Sequence, residues 1–256
     1  MPGATPRRSR RRVTPGKAAD VSFRPRRLQA ALFDFDGVIM DSETALYESW
    51  RNTYAAHGCH LPLDKWAANV GGYNYDVFDP LAYLEEQTGR ALDRDVVNGA
   101  RRACYLHRVY QLGEMPGISD AFAAVKSAGL KLAAVSSSSR NWVPAHLKRL
   151  NLLSCFDAIV CGDEVDNVKP DPAVYHLALN RLRADPDRVF VVEDSPKGVA
   201  AARAASLYCI AVPNSVTRAS RLHGYDKLLE SLDKQPFTDV LGEVEKELAD
   251  RYAGRL

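Results

Sequence analysis

No apolar run in the 256 residues approaches the roughly 20 that a membrane-spanning helix needs; the longest candidates are strand-length stretches such as 130–135 and 189–192. A soluble chain is expected. Cysteine is sparse, and Cys59, Cys104, Cys155, Cys161 and Cys209 form an odd set with no C-x-x-C pair. That pattern excludes a disulfide framework and fits reduced, packed thiols in the cytoplasm. His57 and His60 flank Gly58 and Cys59, but no matching ligands stand at zinc spacing. Arg7-Arg8 and Arg10-Arg11-Arg12 are not followed by an apolar h-region or a small-residue cleavage site, which sets aside twin-arginine export.

A strong overall charge is also missing, at net +2, yet the distribution is uneven. Residues 1–27 hold nine Lys or Arg against Asp20 alone, so this stretch is +8 and the body is −6. Pro, Gly, Ser and Arg dominate it with no apolar period, which predicts a disordered basic tail over 1–27. It reads as a solvated extension. A basic arm gains affinity for nucleic acid by counterion release without folding, so only this tail offers nucleic acid a partner surface. With 46% hydrophobic and 26% charged residues, the chain as a whole can bury a full core.

From Leu28 onward short apolar strands alternate with amphipathic helical segments. Strands are expected at 28–33, 130–135, 158–161, 189–192 and 208–212, with helices at 118–127, 142–150, 173–182 and 197–205 between them. This is the rhythm of an α/β protein, a Rossmann-like parallel sheet with helices on both faces. Almost a hundred residues separate the first strand from the second, far more than a crossover requires. Helical segments at 43–57, 63–69, 76–87 and 93–112, with breakers at Gly58, Pro62, Gly71-Gly72 and Gly89, predict an inserted α-helical bundle. Apolar Val240, Leu241, Val244 and Leu248 recur at helical spacing within 238–252, which predicts a terminal helix.

Ligands of open α/β sheets bind in the crevice outside the carboxyl ends of the strands, so polar residues just past each strand carry the chemistry. Asp34-Phe35-Asp36-Gly37 and Asp41 follow the first strand, and Ser136-Ser137-Ser138-Ser139 the second. Lys169-Pro170-Asp171-Pro172 follows the third, and Glu193-Asp194 closes the fourth. If the first and fourth strands are neighbours, Asp34, Asp36, Glu193 and Asp194 converge, and such like charges repel unless a cation intervenes. Mg²⁺ suits that need, since it is bound through one or two carboxylates plus waters and a substrate phosphate. Lys169, Ser136 and Ser137 add the positive charge and hydroxyls that hold an anion.

Asp34-Phe35-Asp36-Gly37-Val38-Ile39-Met40-Asp41, Ser136, Lys169 and Glu193-Asp194 together resemble the four ordered motifs of the haloacid dehalogenase superfamily. Lys169-Pro170-Asp171-Pro172 and Glu193-Asp194-Ser195-Pro196-Lys197-Gly198 are similar to its phosphatase and β-phosphoglucomutase-like branch. The resemblance spans about residues 28–232. It implies a core over 28–42 and 113–256 with a helical cap domain over 43–112. It further implies that Asp34 attacks phosphorus to form an aspartyl-phosphate, that Asp36 serves as acid and then base, and that Ser136 and Lys169 bind the phosphoryl oxygens. Mg²⁺ would be held by Asp34, the Asp36 carbonyl and Asp194, with Glu193 beside them.

The expected activity is a Mg-dependent phosphatase acting on a small phosphorylated, sugar-phosphate-like metabolite. β-Phosphoglucomutases of this branch usually carry a His five residues after the last Asp of the first motif, where this chain has Leu46, which favours hydrolysis over mutase chemistry. The alternatives are such a phosphomutase, or a non-catalytic phosphate-binding or regulatory protein resembling a receiver domain, against which Asp36 argues. Substrate selection falls to Gly71, Gly72, Tyr73 and Asn74 in the insertion and to Arg140 and Asn141 on the core. Tyr105, His107, Arg108 and Tyr110 read as packing and surface. A monomer is expected, since a cap opens and closes within one chain.

Overall fold

The computed structural model describes residues 27–67, 70, 78–220 and 222–253. The tail expected at 1–27 therefore lies outside the described residues except for Arg27, and so does the Gly71-Gly72-Tyr73-Asn74 loop. The strands are β1 (Ala30–Phe33), β2 (Lys131–Val135), β3 (Ala158–Val160), β4 (Val189–Glu193), β5 (Tyr208–Ala211) and β6 (Lys227–Leu228). They form one parallel sheet in the order β3-β2-β1-β4-β5-β6. β6 was not expected from the sequence, because two residues are too few to show a pattern.

Alternate residues of β1 to β5 enter different cores. Phe33, Leu132, Ala134, Phe190, Val192 and Ile210 pack on one face, and Leu32, Ala133, Val135, Val191, Cys209 and Ala211 on the other. Strands buried on both faces need apolar residues at every position, which is why they read as continuous hydrophobic runs rather than alternating ones. Helices α5 (Ile118–Ser127), α6 (Val143–Arg149) and α9 (Phe237–Ala253) supply apolar residues to the first face, and α7 (Ala173–Leu182) and α8 (Pro196–Ala204) to the second. The helices thus lie on both faces, as expected.

Between β1 and β2 stand α1 (Ser42–Ala56), α2 (Leu63–Ala67), α3 (Pro80–Thr88) and α4 (Arg94–Val109). They close around a separate core, with Trp50, Tyr54, Leu61, Trp66, Leu81 and Leu84 all buried, to which Val216 from beyond β5 also contributes. Asp41, Asp79 and Asp93 cap the starts of α1, α3 and α4 by accepting backbone N–H groups of the first turn. Two sequence expectations shift here. The third helix begins at Pro80, after Asp79 has taken the N-cap, and the fourth ends at Val109, so that 110–112 form a turn leading back to the sheet. Among the described residues no helix is long and apolar enough to cross a membrane, and all five thiols are free.

Candidate active site

β1 and β4 are hydrogen-bonded neighbours with Phe33 opposite Val192, so Asp34 and Glu193 leave the sheet at the same level. The turn after β1 is possible only with glycine at position 37. Its φ of +93° is left-handed, and a Cβ there would stand 2.1 Å from Oδ2 of Asp194. The first and fourth motif loops therefore touch at a point where no side chain fits.

Lys169, 4% exposed, sits at the centre. Its Nζ donates to Oδ1 of Asp34 at 2.5 Å, to Oε1 of Glu193 at 2.6 Å and to the Val135 carbonyl at 2.9 Å. Glu193 Oε1 also accepts from the Tyr175 hydroxyl at 2.5 Å, while its Oε2 accepts from the Asp194 N–H at 3.1 Å and the Ser195 hydroxyl at 3.4 Å. Both oxygens of this fully buried carboxylate are thus engaged by protein donors. Asp194 is fixed from the next loop, where Asn214 Nδ2 donates to its Oδ2 at 2.7 Å. Asn214 is itself held through its Oδ1, which accepts from the N–H groups of Val216 and Thr217.

Asp36 points to a different set of partners. Oδ1 accepts from the Ser42 hydroxyl at 2.6 Å and from Trp142 Nε1–H at 3.0 Å, and Oδ2 from the Ser138 hydroxyl at 2.7 Å and the Ser136 hydroxyl at 3.2 Å. The Asp34, Asp36, Ser136, Lys169, Glu193 and Asp194 motifs are thereby brought into one crevice. The Ser137 hydroxyl is buried beside them in sequence and has no hydrogen-bond partner. Arg140 is not brought in. Its guanidinium turns to the sheet edge, onto Glu164 at 2.9 Å and the Ile159 carbonyl at 3.3 Å, because its backbone N–H is tied to the Asp163 carboxylate. Asn141 is exposed.

The electrostatics are those of a buried anionic cluster. Desolvation pushes the Asp34 carboxyl up to about 8, against the pull of Lys169 and with the help of Glu193 and Asp36. Burial likewise drives Asp194 well above the usual carboxylate range, reinforced by Asp34, Glu193 and Glu43. Lys169 is held above its ordinary value because Asp34 and Glu193 outweigh the cost of its burial. Asp34, Glu193 and Asp194 each offer an oxygen within 4.8 Å of the others, a hard, all-oxygen donor set that fits Mg²⁺. The Asp36 carboxylate is not among them.

Ser42, Glu43, Trp142, Tyr175 and Asn214 join this cluster without having been expected from the sequence, and Ser138 was expected only as part of the serine run. Glu43, in the first turn of α1, retains some accessible surface, yet desolvation and the nearby Asp36, Asp34 and Asp41 charges raise its carboxyl to about 8. Asn214 was within reach of the rule that found the other motifs, since it lies three residues past the end of β5.

Comparison with known proteins agrees with this geometry. The family model described as haloacid dehalogenase-like hydrolase matches residues 31–212. The Bacillus subtilis protein YhcW is 38% identical over 205 residues, covering 80% of this chain and 92% of that protein. The phosphorylated carbohydrates phosphatase of Thermotoga maritima is 34% identical over 190 residues, or 70% and 82% of the two chains. A crystal structure of a CbbY variant from Rhodobacter sphaeroides in complex with xylulose-(1,5)-bisphosphate superposes with a TM-score of 0.63 at 28% identity, covering 81% of this chain and 96% of that one. With its ordered motifs gathered at the carboxyl edge of a parallel sheet, the chain belongs to the haloacid dehalogenase-like hydrolases.

Proposed function

We propose that this hydrolase is a Mg²⁺-dependent phosphatase of small phosphorylated carbohydrates that works through an aspartyl-phosphate on Asp34. The observation that carries the reading is the division of labour between two carboxylates. Asp34 is held by a buried ammonium group, while Asp36 sits among hydroxyl and indole donors two residues away. An Oδ of Asp34 attacks phosphorus and forms the acyl phosphate bond as the ester oxygen leaves. Asp36 gives that oxygen its proton and then accepts one from the water that hydrolyses the intermediate. The Ser136 and Ser137 hydroxyls, the latter buried without a partner, bind phosphoryl oxygens together with Lys169.

Asp34, Asp194 and the Asp36 carbonyl would hold Mg²⁺, which supplies positive charge against the phosphoryl group. Glu193, with both oxygens engaged by protein donors, acts by fixing Lys169 and Tyr175. Residues 43–112 serve as the cap over the core of 28–42 and 113–256, and the cap bears the selection of substrate. The sugar-phosphate class rests on the Thermotoga and CbbY relatives. One chain carries every named group, so a monomer suffices, and the free thiols suit a cytoplasmic enzyme.

The test is inorganic phosphate release from a panel of sugar and polyol phosphates, with and without Mg²⁺, beside Asp34→Asn. Metal-dependent release by the wild type, with Asp34→Asn reduced by at least about 10³-fold, is expected. Isomerised sugar phosphate without phosphate release would identify a mutase instead. Undiminished release by Asp34→Asn would exclude the aspartyl-phosphate.

A further inference from the structure

Trp142 at the N-cap of α6, with His146 and Arg149 within the helix, stands at i, i+4 and i+7 and shares one helix face. The contacts of these three side chains run in a line from Asp36 to both chain segments that join the helical insertion to the sheet. Trp142 Nε1–H donates to Oδ1 of Asp36 at 3.0 Å. The Trp142 ring is stacked on Tyr105 of α4, 5.8 Å between centroids and 16° between planes. His146, 4% exposed, supports the same indole edge-on at 4.1 Å and also lies against Phe35, the residue between the two motif aspartates, at 6.4 Å. Arg149 donates to His146 Nδ1 at 3.3 Å and to the carbonyls of Leu112 at 2.7 Å and Val109 at 3.3 Å, where α4 ends. It also reaches the Met40 sulfur at 3.2 Å, just before α1.

The donors around Asp36 are not equivalent. Ser42, Ser136 and Ser138 are hydroxyls whose protons re-aim by rotation, and Ser136 is also the group that the proposed phosphoryl ligand would claim. The indole N–H has one fixed direction, set by a ring that Tyr105 and His146 hold in place. Trp142 belongs to the core, whereas Tyr105 belongs to the insertion, so their stack exists only while the insertion is seated. From this we infer that Trp142 is the positioning residue of Asp36, and that the helical insertion acts on the acid/base group through the Tyr105–Trp142 stack. The inference deepens the phosphatase reading and rests on it for the role of Asp36.

The experiment compares two substrates that differ in their need for an acid. An alkyl phosphate must have its departing oxygen protonated, whereas p-nitrophenyl phosphate releases a stable phenolate that needs no proton. Trp142→Phe keeps a ring and removes the N–H. It is expected to lower kcat/KM for the best sugar phosphate by about 10- to 100-fold, with little change in KM, and for p-nitrophenyl phosphate by less than about threefold. Tyr105→Leu should show the same selective loss, and Tyr105→Phe, which retains the stack, should restore it. An equal loss on both substrates, or none, would overturn the proposal, since a merely structural role does not distinguish leaving groups.

A second readout needs no turnover. The indole N–H resonance of Trp142, assigned by its absence from Trp142→Phe, is expected to move in Asp36→Asn while those of Trp50 and Trp66 stay in place, and to move again in Tyr105→Leu. A Trp142 resonance unmoved by either substitution would overturn the proposal. A wild type inactive on every phosphate ester would defeat the phosphatase reading alone, and the resonance shifts would then decide this one.

Discussion

Gly198 leaves no space for a methyl group, since a Cβ there would stand 1.9 to 2.1 Å from the carboxyl atoms of Glu193. The first turn of α8 is pressed onto the carboxylate that orients Lys169, so bulk at this position is transmitted to the Lys169–Asp34 pair. Gly198→Ala is expected to destabilise the protein by about 1–3 kcal/mol in chemical denaturation and to depress phosphate release with it. Gly99 in α4 is the internal control. A Cβ there meets nothing within 4 Å, and its helical backbone favours alanine. Gly99→Ala should stabilise by about 0.5–1 kcal/mol in the same assay. Equal stability of the two variants would show that the Glu193 carboxylate yields freely.

Between elements, one carboxylate gathers several donors at the β3 edge of the sheet. Glu164, at the end of the short 3₁₀ turn Gly162–Glu164, receives Arg181 from α7 at 2.6 Å, Arg140 at 2.9 Å and the Cys161 N–H at 2.9 Å. Burial opposes ionisation, but these three donors prevail and bring the Glu164 carboxyl down to about 2 from an ordinary 4.5. A carboxyl lowered by folding contributes stability above its unfolded value, and that contribution is lost as pH falls through the folded one. The stability difference between wild type and Glu164→Gln should therefore shrink as pH drops from about 4.5 to about 2, measured by denaturant midpoints. The same clasp holds the Arg140 guanidinium at the sheet edge. Arg140→Ala is expected to lower stability slightly while leaving KM within about twofold, because a half-exposed ion pair is worth little and no substrate contact is lost.

The molecule as a whole carries an electrostatic load at the Asp34–Glu193–Asp194 cluster that the proposed Mg²⁺ would relieve. The Asp34 carboxyl rises on folding from 3.8 to about 8, so across that interval the folded metal-free protein binds more protons than the unfolded chain. Stability then falls as pH rises through the interval. Bound Mg²⁺ stabilises the ionised carboxylates and adds stability by mass action, about 2.7 kcal/mol at a hundredfold excess over Kd. The rise in Tm on adding Mg²⁺ should accordingly be larger at pH 8 than at pH 5, and Asp194→Asn should abolish most of it. A pH-independent rise, or one retained by Asp194→Asn, would place the metal elsewhere.

Much of this molecule was legible from the chain alone. Strands buried on both faces must be apolar throughout, and the residues just past their ends are then conspicuous for being polar. Asp34, Ser136, Lys169 and Glu193-Asp194 stood out for that reason, and the long gap after β1 disclosed the helical insertion. The residues that escaped are those whose role depends on what faces them rather than on where they stand along a strand. Tyr175 lies within α7 and Trp142 at the N-cap of α6, where periodicity carries no chemical signal; only the tertiary structure aims their O–H and N–H groups at Glu193 and Asp36. Arg140 illustrates the converse, since it follows the serine run after β2 in sequence while Glu164, twenty-four residues away, engages its guanidinium. Periodicity reports which face of an element is buried, but the direction of a hydrogen bond across elements is decided only when the sheet order sets β1 beside β4 and packs α6 and α7 around them.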